Sequence, residues 1–165
     1  MRPVKLSEEG IALMALLLSL AIMSIALMAA VETWSVQRQR EMEIDLLYTG
    51  NQYEQAIKRY YFAIPNGPKV FPTRIEDLVE DNRFLVPARH LRRAYLDPIT
   101  SQPFELIFEG DRIIGVASKS QQPAIKRRGF SSANSKFEGL ETYNQWKFVF
   151  HPPITRRPSS KLKPS

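Results

Sequence analysis

His90 and His151 are the only two histidines, and neither stands in a spacing that suits catalysis. His90 lies among Arg89, Arg92 and Arg93 and reads as a solvated surface group, while His151 precedes Pro152 and Pro153. The carboxylates come as neighbours, Glu76/Asp77 and Glu80/Asp81, expected on the exposed side of a short helix. Cysteine is absent, which removes thiolate metal sites, cysteine nucleophiles and disulfides together. No glycine-rich phosphate loop, zinc-ligand spacing or nucleophile elbow occurs. The expectation is a protein without catalytic residues, cofactor or metal. One cluster could bind a ligand: Lys126, Arg127, Arg128 and Lys136, with Phe130 and Phe137 between them, form a candidate basic surface for nucleic acid or anionic lipid headgroups. The competing arrangement is a solvated loop that packs Ile125 and Phe130 on a sheet and leaves the cations in water.

The elements that would position these residues begin with an apolar run. Residues 11–31 carry no charge and, at about 1.5 Å per residue, reach roughly 30 Å, the thickness of a bilayer's hydrocarbon core. A cleavable secretory signal would have a basic flank, an apolar stretch of only about 7–15 residues and a small-x-small cleavage site. Here Glu8, Glu9 and Gly10 abut a longer run, so the segment reads as an anchor with its short leader cytoplasmic and the bulk of the chain across the membrane. Formal net charge is +6, and most of the excess sits in residues 119–136 and 156–163. The remaining hundred or so residues suffice for one small domain.

No proline interrupts "VETWSVQRQREMEIDLLYTGNQYEQAIKRYYFAI" before Pro65. Leu46/Leu47, Gly50, Tyr53, Ile57, Tyr60/Tyr61 and Ile64 are spaced by three and four, which predicts the buried stripe of an amphipathic helix continuous with the apolar run. Arg38, Arg40, Glu41, Glu43 and Asp45 are expected to make its other face soluble. Gly50 inside a helix costs up to about 1 kcal/mol against alanine, and the spacing suggests close approach of a sheet there. Beyond the connection "PNGPKVFPT", Thr73 and Glu76 have capping-box spacing before Ile75, Leu78 and Val79. "PFELIF" and "RIIGVAS", joined by "EGD", predict a β-hairpin, and "YNQWKFVF" predicts a further strand through Tyr143, Trp146, Phe148 and Phe150.

A short leader, a glycine directly before a membrane-length apolar run and an amphipathic extension of the same helix resemble the type IV pilin and type II secretion pseudopilin superfamily. "GNQYEQAIKRYY", "RHLRRAYLDPIT" and "YNQWKFVF" resemble blocks of proteins related to the major pseudopilin. The resemblance implies a leader cut after Gly10 by a prepilin peptidase, with Ile11 becoming the methylated amino terminus. It implies partners as well: other pseudopilins or pilins, an inner-membrane assembly platform and the lipid bilayer. Ala15 stands where most members carry a glutamate, a departure shared by members at a filament tip, which points to a minor or specialised subunit. Major pseudopilins generally bind calcium in an aspartate-rich loop. The corresponding "ASKSQQPAIKRRGFSSANSK" has no Asp or Glu, so no calcium site is expected.

The expected fold is therefore α+β and pilin-like, a long N-terminal helix packed on a small antiparallel sheet. Its parts are a cytoplasmic leader at 1–10, the transmembrane half of the helix at 11–31, the amphipathic half at 32–64, a periplasmic domain at 65–151 and a basic, disordered tail at 152–165. The expected role is assembly into a bacterial secretion or pilus-like machine. A signal-anchored periplasmic protein that binds DNA or anionic lipid through its basic face is the alternative.

Overall fold

A computed structural model describes residues 8–153, leaving aside the side chains of residues 8, 9 and 29–33, so most of the leader and the tail beyond Pro153 lie outside the described residues. The chain runs as a long helix α1 (Glu8–Phe62), a single turn α2 (Glu76–Val79), strands β1 (Glu105–Glu109) and β2 (Arg112–Ala117), two 3-10 turns (Ser132–Phe137 and Tyr143–Gln145) and strand β3 (Lys147–Val149). Two compact units divide it, Met1–Glu41 and Met42–Ser165.

Within the first unit, Gly10–Met28 is long and apolar enough to cross a membrane. None of that window is buried in protein, as a lipid-facing segment requires. Its two hydroxyls are satisfied inside the helix: Ser19 Oγ donates to the Leu16 carbonyl and Ser24 Oγ to the Leu20 carbonyl, each at 2.8 Å.

The second unit is built on residues 42–62 of α1. Leu46, Tyr53, Ala56, Ile57 and Tyr60 form the buried stripe, and the sheet supplies Ile113, Val116 and Phe148 against it, with Phe150 just beyond β3 in the same core. At Gly50 the two layers meet. A Cβ there would lie 2.4 Å from Phe148 ring carbons, so only glycine admits the strand this close. The helix ends at Phe62, two residues short of the expected Ile64, because the residue before Pro65 is sterically biased out of the helical region.

The sheet is antiparallel in the order β1-β2-β3. The hairpin turns through Gly110 at φ +63°, with Glu109 opposite Arg112, and a bulge at Ile107/Phe108 shifts the register. The last strand is shorter than expected, since Tyr143–Gln145 is a 3-10 turn fixed by reciprocal bonds between Thr142 and Gln145. Trp146, Phe148 and Phe150 still alternate into the core. The start of α2 also differs. The Asp77 carboxylate, rather than Glu76, closes it, accepting from Thr73 N at 3.1 Å, Thr73 Oγ1 at 3.0 Å and Arg74 N at 3.0 Å. An acid one residue later reaches back over the two amides that precede the turn.

Candidate functional site

The basic loop between β2 and β3 is positioned from α1 by a carboxylate that the periodicity assigned to the solvent face. Glu43 is buried, at 3% exposure, and its Oε1 accepts from Ile125 N, Lys126 N and Tyr143 Oη at 2.6, 3.1 and 2.9 Å. The expectation of a soluble Glu43 is corrected for a physical reason: charge on a helix face predicts solvent only where nothing docks there, and this loop brings three donors to it. A carboxylate can be buried when hydrogen bonds replace its lost hydration. Tyr143, itself fully buried, stands edge-on to Trp146 at 5.3 Å, so the clamp is continuous with the aromatic core.

The clamp leaves the four cations in different circumstances. Lys136 Nζ pairs with Glu54 Oε2 at 2.7 Å. Lys126 Nζ lies 5.2 Å from the centre of the Phe130 ring. Arg127 and Arg128 are exposed and form no ion pair among the described residues. Phe130 packs edge-on against Trp146 and Phe137, and Ile125 is half-buried, which is the packed-loop arrangement the sequence allowed.

The other end of the loop is held by Asp97, which is fully buried. Its carboxylate accepts from Ile99 N, Thr100 Oγ1 and Ser118 Oγ at 2.9, 2.9 and 2.7 Å, tying the "DPIT" turn to the end of β2. No three His, Cys, Asp or Glu side chains converge among the described residues. Glu43 and Asp97 make the loop's cross-links with hydrogen bonds. Adding calcium or a chelator is accordingly expected to leave the melting transition unchanged within about 0.5 kcal/mol, against roughly 2.7 kcal/mol for a ligand at a hundred times its dissociation constant. A calcium-dependent rise of the latter size in a thermal scan would contradict this.

His90 and Asp81, expected at the surface, form a second cluster in which Asp81 is buried and His90 half-buried. Asp81 is 1% exposed and accepts from Arg83 N at 3.1 Å, Arg83 Nε at 2.8 Å and Arg83 Nη2 at 2.6 Å, with His90 Nε2 at 2.9 Å. The Arg83 guanidinium covers the Tyr60 ring at 3.6 Å, and Arg59 donates to the His90 carbonyl at 2.6 Å. The basic neighbours suggested a wet histidine, but the chain folds His90 against the end of α1 and leaves Arg89, Arg92 and Arg93 outside. Chemically the cluster is a clasp. The Asp81 oxygens are occupied by Arg83, and no hydroxyl bonds to the His90 ring among the described residues.

Burial pushes the Asp81 carboxyl up, but the bonds from Arg83 and His90 outweigh it and hold the group at about 2, below its ordinary 3.8. A depressed folded-state pKa stabilises the protein above the unfolded value, and that contribution disappears as pH falls from about 4 to about 2. It amounts to about 2 kcal/mol. Urea melts of wild type should therefore lose about 2 kcal/mol more than Asp81→Asn between pH 5 and pH 2. Parallel losses in the two proteins would refute the clasp's electrostatic role.

An apolar recess of about 250 Å³ opens between Tyr53, Ile75, Tyr95, Phe104 and Leu106, with Glu76 as its one charged wall. The Tyr53 hydroxyl is spent on the backbone, donating to Tyr95 O at 2.9 Å and accepting from Tyr95 N at 2.8 Å. The recess has room for a side chain but no convergent polar groups to orient a cofactor.

Gly10, Ile11 and Ala15, the positions singled out for processing and assembly, lie on one helical segment and are exposed. The periodicity pointed to the helix stripe and the basic composition to the loop's cations, but both missed Glu43, Asp81 and Asp97. A sequence signal existed for Asp97, which precedes proline in a turn; none marked Glu43. Comparison of the chain with protein-family models, curated proteins and solved structures finds no match.

Proposed function

We propose that the chain is a pseudopilin-like subunit of a bacterial type II secretion or type IV pilus-like machine. The observation that carries the reading is the continuity of α1. One helix begins in an apolar span with no protein around it and ends as the backbone of a folded α+β unit, with the sheet seated on Gly50. A plain membrane tether gains nothing from being the core helix of its own domain. A subunit that must pack its apolar half against neighbours while displaying a domain does.

In this reading the leader is cytoplasmic and the prepilin peptidase cuts after Gly10. Ile11 becomes the methylated terminus, and the domain faces the periplasm from the inner membrane. The exposed apolar side chains of the span contact lipid before assembly and other pseudopilins afterwards. Ala15 offers no carboxylate to a neighbour's amino terminus, which suits a minor or specialised position; a carboxylate there would cost about 2.5 kcal/mol near the middle of a membrane, less near its edge. The domain's buried acids serve packing, and no catalytic step is assigned to them.

The test is the mass of the amino-terminal peptide of protein purified from its native host. A peptide beginning with N-methylated Ile11 supports the reading. An intact Met1, or a start near Val31, would overturn it in favour of a signal-anchored binding protein.

A further inference from the structure

We infer that the turn carrying Arg127 and Arg128 is a docking point for the anionic headgroups of the bilayer that holds the chain's own apolar span. The proposal rests on the span and the loop, not on the pilin reading. Four observations lead to it.

The turn is built rather than loose. Glu43 clamps Ile125 N and Lys126 N on one side, Gly139 N donates to the Arg127 carbonyl at 3.0 Å on the other, and Gly129 at φ +72° reverses the chain between them. Phe130 roots it in the aromatic core against Trp146. Two guanidinium groups are thus carried on a fixed base, and little ordering remains to oppose binding.

The two arginines on that base form no ion pair among the described residues. Every residue from 112 to 137 other than Lys and Arg is uncharged. Glu138 adjoins Gly139 beside the turn, yet no ion pair joins it to either arginine among the described residues. Of the acids of α1, Glu43 is engaged by backbone amides and Glu54 by Lys136, while the exposed Glu41 and Asp45 form no ion pair with either arginine among the described residues. Guanidinium forks suit phosphate oxygens.

The loop is attached to the helix that carries the apolar span. Glu43, its attachment point, lies on the helix that contains Gly10–Met28, and only residues 29–42 separate the two. The turn is thus covalently attached to whatever bilayer the span enters, and its encounter with that surface's headgroups is intramolecular.

The shape also favours a bilayer over a nucleic acid. Two adjacent arginines on one turn, with Lys136 withdrawn into an ion pair and the Phe130 ring packed inward, give neither a track for a phosphate backbone nor a free stacking face. A lipid surface needs no such track.

The absence of cysteine makes the test direct. Full-length chain with the single substitution Ser131→Cys, at an exposed position whose side chain caps nothing, is labelled with a fluorophore and reconstituted through its own span. The membranes are phosphatidylcholine alone or with phosphatidylglycerol, each containing a headgroup-attached quencher. The same label at Asn82→Cys reports on a position outside the loop. Quenching at position 131 should rise with phosphatidylglycerol, and high salt should remove the rise. Arg127→Gln with Arg128→Gln should abolish it, each arginine contributing about five-fold to the headgroup-contacting population. Arg127→Lys with Arg128→Lys should retain most of it. Equal quenching in the two lipids, or an unchanged signal in the double glutamine variant, overturns the proposal. Salt-sensitive binding of duplex DNA that the double glutamine variant loses, with no lipid dependence, would reassign the turn to nucleic acid and overturn it equally.

Discussion

Glu43→Ala is expected to destabilise the folded unit by about 3 kcal/mol and to loosen one loop first. The substitution leaves the Ile125 and Lys126 amides and the buried Tyr143 hydroxyl without their shared acceptor. Each bond to a charged acceptor contributes about 1.5–3 kcal/mol, and a buried orphaned donor costs about 1–3 kcal/mol. The sum falls below the simple total because the two half-exposed amides can recruit water. Glu43→Gln keeps an acceptor and should lose only about half as much. Urea melts give the size of the effect, and hydrogen exchange gives its location, with Ile125 and Lys126 losing protection well before residues of β2. A Glu43→Ala protein within about 0.5 kcal/mol of wild type would show that the clamp does not hold the loop.

The second large effect is expected at Gly50. A valine there drives its Cβ into three ring carbons of Phe148 at 2.4–2.5 Å and adds two methyl groups behind it, in a seam where the ring has nowhere to go. Overpacking of this kind costs typically 1–3 kcal/mol and occasionally more, so a loss of at least about 3 kcal/mol is expected. Gly50→Ala separates the two opposing terms. It recovers up to about 1 kcal/mol of helix propensity but meets the same ring, and should still be destabilising. Combining it with Phe148→Leu should cost less than the sum of the two single changes, because the clash is shared. Stabilisation by Gly50→Ala alone would mean that the glycine serves flexibility rather than close approach.

The elements were legible wherever a single period governs the side chains. The three-four spacing from Leu46 to Tyr60 describes the buried stripe because an amphipathic helix presents one face to one sheet. The hairpin followed from two apolar runs flanking a glycine that must adopt positive φ, and the alternation of Trp146, Phe148 and Phe150 survived although β3 proved only three residues long. The seat at Gly50 could be anticipated since a helix tolerates glycine poorly without a reason. That one helical segment is long and apolar enough to cross a membrane is a matter of length and composition alone.

The polar interior could not be read this way. Glu43, Asp81 and Asp97 share the charge of Glu41, Glu105 and Glu109, yet the first three are buried and the others exposed. What separates them is the convergence of donors: Ile125, Lys126 and Tyr143 from far along the chain at Glu43, and near neighbours joined by a more remote group at the other two, Arg83 with His90 at Asp81 and Ile99 and Thr100 with Ser118 at Asp97. A carboxylate enters the interior only where several donors converge on it, and convergence is a property of tertiary structure with no local period to announce it. The same holds for the cations. Lys136 and Arg127 are equivalent in sequence, and only the position of Glu54 across the loop decides that one is neutralised and the other left to the solvent.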